Sequence, residues 1–317
     1  LSMYIALNLI WFAIYLVGAV WYELYIVHMF QQNSYKPREY REWMQVHSNV
    51  GRLLGKCLYA IIGIPLVLTD NTGCLAAACV MNLMTMLVNK PHAAKKPLVY
   101  TKRVKRMLAT TVLVYLVGVL LSMAAGAYRM RACKGILLIL FVLQPFLILL
   151  VNLLNRPVEQ AVDRYYINDA ARILGDMPNL KVIGVTGSYG KTSVKYFLST
   201  LLSCRYNVLH TPGNYNTTLG VVRTIREQMK PFHEIFICEM GAREVGDIKE
   251  ICDLVHPDYG IITSIGPQHL QSFHTIENII GTKFELADAV PAEGSVFLNY
   301  DNEYIRGRAA GENVVSY

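Results

Sequence analysis

The sequence predicts two unlike halves: an N-terminal α-helical membrane bundle, and an α/β domain with a mostly parallel sheet flanked by helices. Five apolar segments precede residue 155, and three of them are about 20 residues long, enough to cross a bilayer. After residue 180, short apolar runs alternate with helical stretches, which is typical of βαβ units. We therefore predict a membrane domain at 1–155, a linker helix at 156–180 and an α/β domain at 181–317.

The two halves also differ in their balance of basic and acidic residues. Residues 1–156 contain 16 lysines and arginines against 4 acidic residues, whereas residues 157–317 contain 14 against 19. The net charge of +7 therefore arises in loops between apolar segments, as is usual in membrane proteins. It does not indicate a nucleic-acid-binding surface, and we expect no nucleic acid partner.

The apolar segments lie at roughly 3–22, 54–68, 74–88, 107–128 and 135–154. The second and third are short and flank a polar turn at Asp70, so they form either a tight transmembrane hairpin or a re-entrant pair. The basic stretches 30–52 and 90–106 belong on the cytoplasmic side by the positive-inside rule. Five crossings then place the N-terminus outside and the second half in the cytoplasm, with lipid around the first half.

Glu23 follows the first apolar segment, beside Trp21, Tyr22 and Tyr25. An acid within a membrane segment is a functional candidate by default. The aromatic neighbours favour a position at the membrane interface instead, and this is the interpretation that we adopt.

Residues 181–193 form the most informative stretch of the chain. A β-branched strand to Thr186 leads into a glycine loop, and Lys191-Thr-Ser193 then begins a helix. This strand–loop–helix order is typical of a phosphate-binding loop, although Val185 stands where the strict Walker A pattern has glycine. The alternative is an ordinary glycine-rich turn. The residues expected to hold the nucleotide are Thr186, Gly187, Ser188, Tyr189, Gly190, Lys191, Thr192 and Ser193.

Further strands are predicted at 207–210, 234–239, 259–264 and 295–299, with helices at 191–204, 219–229, 244–255 and 275–290. Ligands of parallel sheets bind where the strands end. Glu239 ends one strand and is placed to bind Mg²⁺, or else to cap the next helix. The loop at 211–220 is rich in Gly and Asn, as turns often are, and His269 is either a ligand or a structural hydrogen-bonding residue.

Five segments follow one another in order: Thr186-Gly-Ser-Tyr-Gly-Lys-Thr192, Gly213-Asn-Tyr-Asn216 with Gly220, Glu239-Met-Gly-Ala242, Gly266-Pro-Gln-His269-Leu270 and Lys283-Phe-Glu-Leu286. Together they resemble the central ATPase domain of the Mur ligases, most closely the D-alanyl-D-alanine-adding (MurF) type. The resemblance covers roughly residues 155–317. It accounts for the departure from Walker A, because the loop of this family is Thr-Gly-x-x-Gly-Lys-Thr/Ser.

The resemblance implies an ATP-dependent amide ligase of peptidoglycan precursor synthesis, which activates a peptide carboxylate as an acyl phosphate for attack by an amine such as D-Ala-D-Ala. ATP and two Mg²⁺ ions are the expected cofactors. The roles that it implies are phosphate binding by Lys191, binding of one Mg²⁺ by Thr192 and Glu239 and of a second by His269, substrate contacts by Asn214, Asn216 and Thr217, and adenine contact by Asn299.

Lys283 is expected to carry a carbamate, because the matching lysine of the family is carbamylated by CO₂ and can then approach Mg²⁺ as an anion. Lys191, His269 and Lys283 are thus the expected catalytic residues. Without the resemblance, Lys283 would be interpreted as a solvated helix lysine near Glu285.

The chain departs from this family in two ways. Membrane helices stand where soluble MurF-type enzymes have a domain that binds the uridine nucleotide, which favours a lipid-linked or polymeric acceptor at a bacterial plasma membrane. The chain also ends soon after Asn299, so we expect an incomplete central domain. Two alternatives stay open: a membrane-bound poly-γ-glutamate synthase-type ligase, and a non-ligase membrane ATPase or regulator.

Overall fold

The computed structural model describes residues 2–69, 71–88, 97–268, 270–308 and 311–317. Asp70, Lys90, Lys95, Lys96 and His269, on which parts of the sequence analysis rest, lie outside the described residues. The chain divides into two compact units, residues 1–159 and 160–317.

The first unit is helical. Its elements are α1 at Ser2–Gln32, α2 at Pro37–Met44, α3 at His47–Leu68, α4 at Thr72–Val88, α5 at Lys102–Ser122, a 3₁₀ segment at Met123–Tyr128 and the first part of α6 at Arg129–Gly175. By length and apolar composition, α1, α3, α5 and α6 could each cross a membrane, whereas α4 is shorter. The second apolar segment was predicted to be short. Its helix is longer because it begins at His47, two turns before the apolar run.

The predicted division between the apolar segment at 135–154 and a separate linker helix at 156–180 is wrong, because both belong to one helix. Helix α6 runs without interruption through Pro145 and Pro157 to Gly175. A proline removes one backbone donor from a helix, and the surrounding hydrogen bonds and packing can sustain the helix. The turns after Pro157 have such packing, since Ala170 is buried in the core of the second unit with Tyr166 and Ile173 beside it.

Glu23 lies within helix α1, which continues nine residues beyond it, and its side chain is buried with Tyr22 and Tyr25 of the same helix. The Glu23 Oε1 atom accepts a hydrogen bond from Thr111 Oγ1 of α5 at 3.3 Å. Tyr22 and Tyr25 belong to a core packed between helices, whereas Trp21 is 36% exposed. Glu23 therefore faces another helix of the first unit, and its position at a membrane interface stays a prediction.

The second unit is a six-stranded, wholly parallel sheet with the strand order β2-β3-β1-β4-β5-β6. The strands are β1 at Lys181–Thr186, β2 at Val208–His210, β3 at Ile235–Glu239, β4 at Tyr259–Ile262, β5 at Ser295–Leu298 and β6 at Val314–Ser316. The helices are α7 at Lys191–Leu202, α8 at Thr218–Gln228, α9 at Asp247–Val255, α10 at Leu270–Phe273, α11 at Ile276–Ala289 and α12 at Glu303–Arg306. The parallel sheet flanked by helices is the predicted fold of this half.

The strand register brings the predicted site to one edge of the sheet. Val185 of β1 pairs with Glu239 of β3, and Thr186 pairs with Ile262 of β4. Strands β1 and β3 therefore end at the same level, and the loop that follows β1 lies between the chain segments that leave β3 and β4. Buried apolar side chains, among them Phe236, Ile251 and Leu286, fill the core against which the sheet packs.

Candidate functional site

The loop between β1 and α7 has the backbone geometry of an anion cradle. Gly187 has φ +152° and Gly190 has φ +81°, conformations that residues with a side chain rarely adopt. A Cβ on Gly187 would collide with the Thr263 side chain and lie 3.0 Å from the Ser264 backbone. The two glycines let the chain turn tightly into α7, so that the N-terminus of the helix faces the space where an anion can bind.

Residues that follow β4 hold this loop in place. Thr263 donates hydrogen bonds to the Thr186 and Tyr189 carbonyl oxygens, and Ser264 Oγ accepts one from the Tyr189 N–H at 3.0 Å. Ser188 bonds to Ser264 O through its N–H at 2.7 Å and to Gly266 O through its hydroxyl at 3.1 Å. The strand was predicted to run to residue 264, but β4 ends at Ile262 because Thr263 and Ser264 bond to the loop.

Lys191 lies over the same loop. Its Nζ donates to Gly187 O at 2.6 Å and to Ser188 O at 3.4 Å. Burial lowers the Lys191 pKa from its ordinary value, while the nearby Glu239 carboxylate opposes the shift. The ammonium group is thus held at the loop, where it can meet phosphate oxygens.

Glu239 is the centre of the site. Its carboxylate is almost fully buried and accepts hydrogen bonds from the Thr192 hydroxyl at 3.1 and 3.2 Å and from Asn216 Nδ2 at 3.1 Å. Its backbone N–H donates to Thr211 Oγ1 at 3.1 Å. The structure therefore brings together three residues proposed from the sequence, Thr192, Glu239 and Asn216, from the ends of three different segments.

Lys195 is a residue of this site that sequence reasoning missed. Its Nζ is 2.8 Å from Glu239 Oε2 and donates to Gly213 O at 2.7 Å, and its side chain has no exposed surface. The available signal was its spacing: Lys195 lies one helical turn after Lys191, on the face of α7 that is directed into the domain. A lysine at a buried helix position needs a partner, and the strand-end acid was the candidate.

The oxygen ligands at Glu239 and Thr192 suit Mg²⁺. Magnesium in nucleotide sites is usually held by one or two protein oxygens plus phosphates and water, not by a full protein cage. Within the part of the chain that the structure describes, no group of three or more His, Cys, Asp or Glu residues could hold a metal ion. One carboxylate beside a hydroxyl at a phosphate loop fits a Mg²⁺ ion that arrives with a nucleotide.

Lys283 on α11 is buried, with 3% of its surface exposed. Burial lowers its pKa to about 8, and the neighbouring Lys191 charge acts in the same direction. Glu285, by contrast, accepts hydrogen bonds from the Gly246 and Lys249 N–H groups at 2.8 Å each and so caps α9. The interpretation of Lys283 as a solvated helix lysine beside Glu285 is therefore wrong.

The remaining predicted residues lie around this centre in different settings. The Thr186 hydroxyl is buried and donates to Met240 O at 2.9 Å, while Ser193 is exposed on α7. Asn214 is exposed, and the Thr217 hydroxyl caps α8 by accepting from Gly220 N–H. The Asn299 amide donates to Thr263 O at 2.9 Å and accepts from Asp301 N–H at 3.0 Å.

A parallel sheet, a glycine loop that leads into a helix, and a carboxylate–hydroxyl pair at the strand ends define a nucleotide-phosphate-binding α/β domain. Residues 185–317 match the Mur ligase middle domain, so this part of the chain is similar to the central domain of the Mur ligases. Its similar proteins include MurF-type enzymes.

The UDP-N-acetylmuramoyl-tripeptide–D-alanyl-D-alanine ligase of Mycobacterium bovis is 36% identical over 130 residues, which cover 41% of this chain and 25% of that protein. The Escherichia coli enzyme of the same name is 28% identical over 157 residues, 47% of this chain and 34% of that protein. Among solved structures, the MurF ligase from Thermotoga maritima in complex with ADP has 32% identity and a TM-score of 0.45, over 49% of this chain and 35% of that one. The chain thus spans between a quarter and about a third of the length of these relatives.

Proposed function

We propose that this chain is part of an ATP-dependent amide ligase that acts on a peptidoglycan precursor. The observation that carries the proposal is the Thr192–Glu239 contact beside a phosphate loop, in a domain similar to the central domain of the Mur ligases. In this reaction the γ-phosphoryl group of ATP is transferred to a peptide carboxylate and ADP leaves. An amine then attacks the acyl phosphate and loses a proton as phosphate departs. D-Ala-D-Ala is the proposed amine, after the names of the relatives.

In this proposal the work of the chain is positioning and charge neutralisation, which dominate phosphoryl transfer. The N-terminus of α7 and Lys191 bind the phosphates, while Thr192 and Glu239 hold Mg²⁺. Bound Mg²⁺ supplies positive charge next to the phosphate oxygens. Lys195 fixes the carboxylate of Glu239 from the opposite side, and Asn216 fixes its second oxygen. The carboxylate is therefore oriented before the nucleotide arrives.

His269 and Lys283 form the second part of the proposal. The Mur ligase resemblance assigns them to a second Mg²⁺, with Lys283 as its carbamate. Burial of Lys283 supports this role, because a buried lysine without its positive charge is less costly than a buried ammonium group next to Lys191. A carbamate would also convert the local charge from repulsive to attractive towards a cation.

We further propose that the first unit lies in the bacterial plasma membrane with the ligase half in the cytoplasm, and that the acceptor is lipid-linked or polymeric. Four helices with the length and composition of membrane spans support the membrane placement. The basic residues before and at the start of α5 support a cytoplasmic position for that end of α5, by the positive-inside rule. A lipid-linked acceptor suits an enzyme in which membrane helices stand where soluble MurF-type enzymes have the domain that binds the uridine nucleotide.

Purified full-length chain, with any downstream domain encoded after residue 317, should release phosphate from Mg·ATP only when both a precursor peptide and D-Ala-D-Ala are present. Lys191→Ala should abolish this release. Lys249→Met is the matched control, because Lys249 is exposed and pairs with Asp253 on α9. Phosphate release that needs no amine would refute the ligase proposal. A comparison of soluble with lipid-linked precursors tests the acceptor separately.

A further inference from the structure

The first unit contains an elongated groove of about 720 Å³ between α1, α5 and α6. Its walls are almost entirely apolar, with Phe12, Leu16 and Val20 on α1 and Leu116 and Val119 on α5. A volume of this size is within the range of small-molecule sites, roughly 300–1,000 Å³. The groove is therefore large enough for one organic ligand.

Two polar residues in the groove wall, Glu23 and Tyr115, each have a buried oxygen atom without a hydrogen-bond partner among the described residues. Glu23 is 6% exposed and its Oε1 accepts a hydrogen bond from Thr111. Glu23 Oε2 is buried and has no hydrogen-bond partner among the described residues, and the buried Tyr115 hydroxyl lacks one as well. Both residues line the groove. Buried polar atoms are nearly always hydrogen-bonded, so these two atoms give the groove one acceptor and one hydroxyl for a polar group of a ligand.

The side chains around Glu23 determine which chemical group of a ligand can contact its carboxylate. Lys56 is buried nearby and donates to Gln144 Oε1 at 3.3 Å, while Gln144 Nε2 donates to Ala19 O at 2.9 Å. A basic side chain is thus already present in the same buried group, and a second basic group from the ligand is not needed. A carboxylate oxygen accepts a hydrogen bond and repels phosphate. The complementary group is a neutral donor that can also accept from a phenol, which is a hydroxyl.

The length of the groove determines how long the apolar part of the ligand can be. The lining residues of α5 run from Leu108 to Ser122, about 21 Å at the helix rise of 1.5 Å per residue. Half of a hydrocarbon core about 30 Å thick is only about 15 Å. A chain lying along this groove would therefore reach past the middle of the bilayer, which suits one long hydrocarbon chain.

We propose that this groove binds one membrane lipid alcohol, with its long hydrocarbon chain along α5 and its hydroxyl donating to Glu23 Oε2. The site rests on the membrane placement of the first unit and not on the ligase activity of the second. Binding is therefore expected without ATP, and it can be tested even if the ligase proposal fails.

The test uses the full chain in phosphatidylcholine nanodiscs and three photoreactive probes of equal chain length: a primary alcohol, the alkane without the hydroxyl, and the phosphate monoester of the alcohol. The alcohol should label peptides of α1, α5 and α6 about tenfold more than the alkane, the factor expected for one hydrogen bond to a charged group. Glu23→Leu should remove this preference, and Glu23→Gln, which keeps an acceptor oxygen, should retain part of it.

Two substitutions on α5 separate occupancy of the groove from general lipid contact. Leu116→Trp fills the groove and should abolish alcohol labelling, whereas Leu113→Trp, on the same helix but outside the groove lining and 59% exposed, should leave it unchanged. Tryptophan fluorescence checks folding, since Trp11, Trp21 and Trp43 all lie in the first unit. Equal labelling by alcohol and alkane, or stronger labelling by the phosphate monoester, would overturn the proposal.

Discussion

Lys195→Met removes the ammonium group that neutralises Glu239 and leaves a side chain of similar length. In the native protein the Lys195 Nζ–Glu239 Oε2 distance is 2.8 Å, and the two side chains are 0% and 2% exposed. The loss of one partner from a buried ion pair leaves an uncompensated charge and costs about 3–5 kcal/mol. The same loss also removes a hydrogen bond to the Gly213 carbonyl, which holds the loop after β2.

Thiol reactivity can measure this cost in the second unit, because all three tryptophans lie in the first. Cys238 adjoins Glu239 and is fully buried, so it reacts with a maleimide only when the domain opens, while the exposed Cys204 provides an internal reference. In a urea titration with short labelling pulses, a loss of 3 kcal/mol or more lowers the midpoint by at least about 1 M for an m-value of 1–3 kcal/mol/M.

Two further variants make the test specific. Lys249→Met breaks the Lys249–Asp253 pair, which has the same 2.8 Å distance but lies on the surface, and should cost only about 0.3–0.5 kcal/mol. The double variant Lys195→Met with Glu239→Gln carries no unpaired charge and should recover much of the lost stability. If the double variant is as unstable as the two single variants added together, the ion pair does not hold Glu239 as argued.

Three other predictions follow from the site. Gly187→Ala should weaken ATP binding by at least about tenfold in calorimetry because of its backbone conformation, while Gly175→Ala, with open space around its Cα, should not change it. At a fixed CO₂ pressure, the ¹³C signal of a Lys283 carbamate should grow as pH rises through about 8, because only the neutral amine adds CO₂; no such signal in the wild-type chain would refute the carbamate. Glu285→Ala should destabilise the second unit by about 1 kcal/mol through loss of the α9 cap, and the exposed Glu293→Ala should have no effect in the same urea titration.

The fold of the second half could be predicted because its strands are short apolar runs separated by clear helical stretches. Five strands and four helices were located to within a few residues. Strand β6 was missed because Val314–Ser316 is only three residues long and exposed, and it depends on pairing with β5 for its extended conformation. The linker helix at 156–180 was predicted as a separate element, whereas α6 continues through Pro157, since local proline rules carry no information about packing further along the helix.

The first half was harder to predict because its polar residues act between helices. The aromatic sequence neighbours of Glu23 predicted a position at a membrane interface, but they could not indicate its hydrogen-bond partner Thr111, 88 residues away. Composition identifies an apolar helix and says nothing about which face of the helix meets another helix. The groove between α1, α5 and α6 could therefore be found only in three dimensions.

In the candidate site, Lys195 is the residue that the sequence motifs could not predict. The motifs predicted Thr192, Glu239 and Asn216, each directly after a strand or loop signal, and the structure places them in contact. Lys195 carries no motif signal of its own, and its role depends on the β1–β3 register that sets Glu239 beside α7. A buried carboxylate needs a partner of opposite charge. Lys195 supplies this partner from within the phosphate-loop helix, 2.8 Å from Glu239 Oε2, so the carboxylate is oriented by the protein itself for the Mg²⁺ ion of the proposed function.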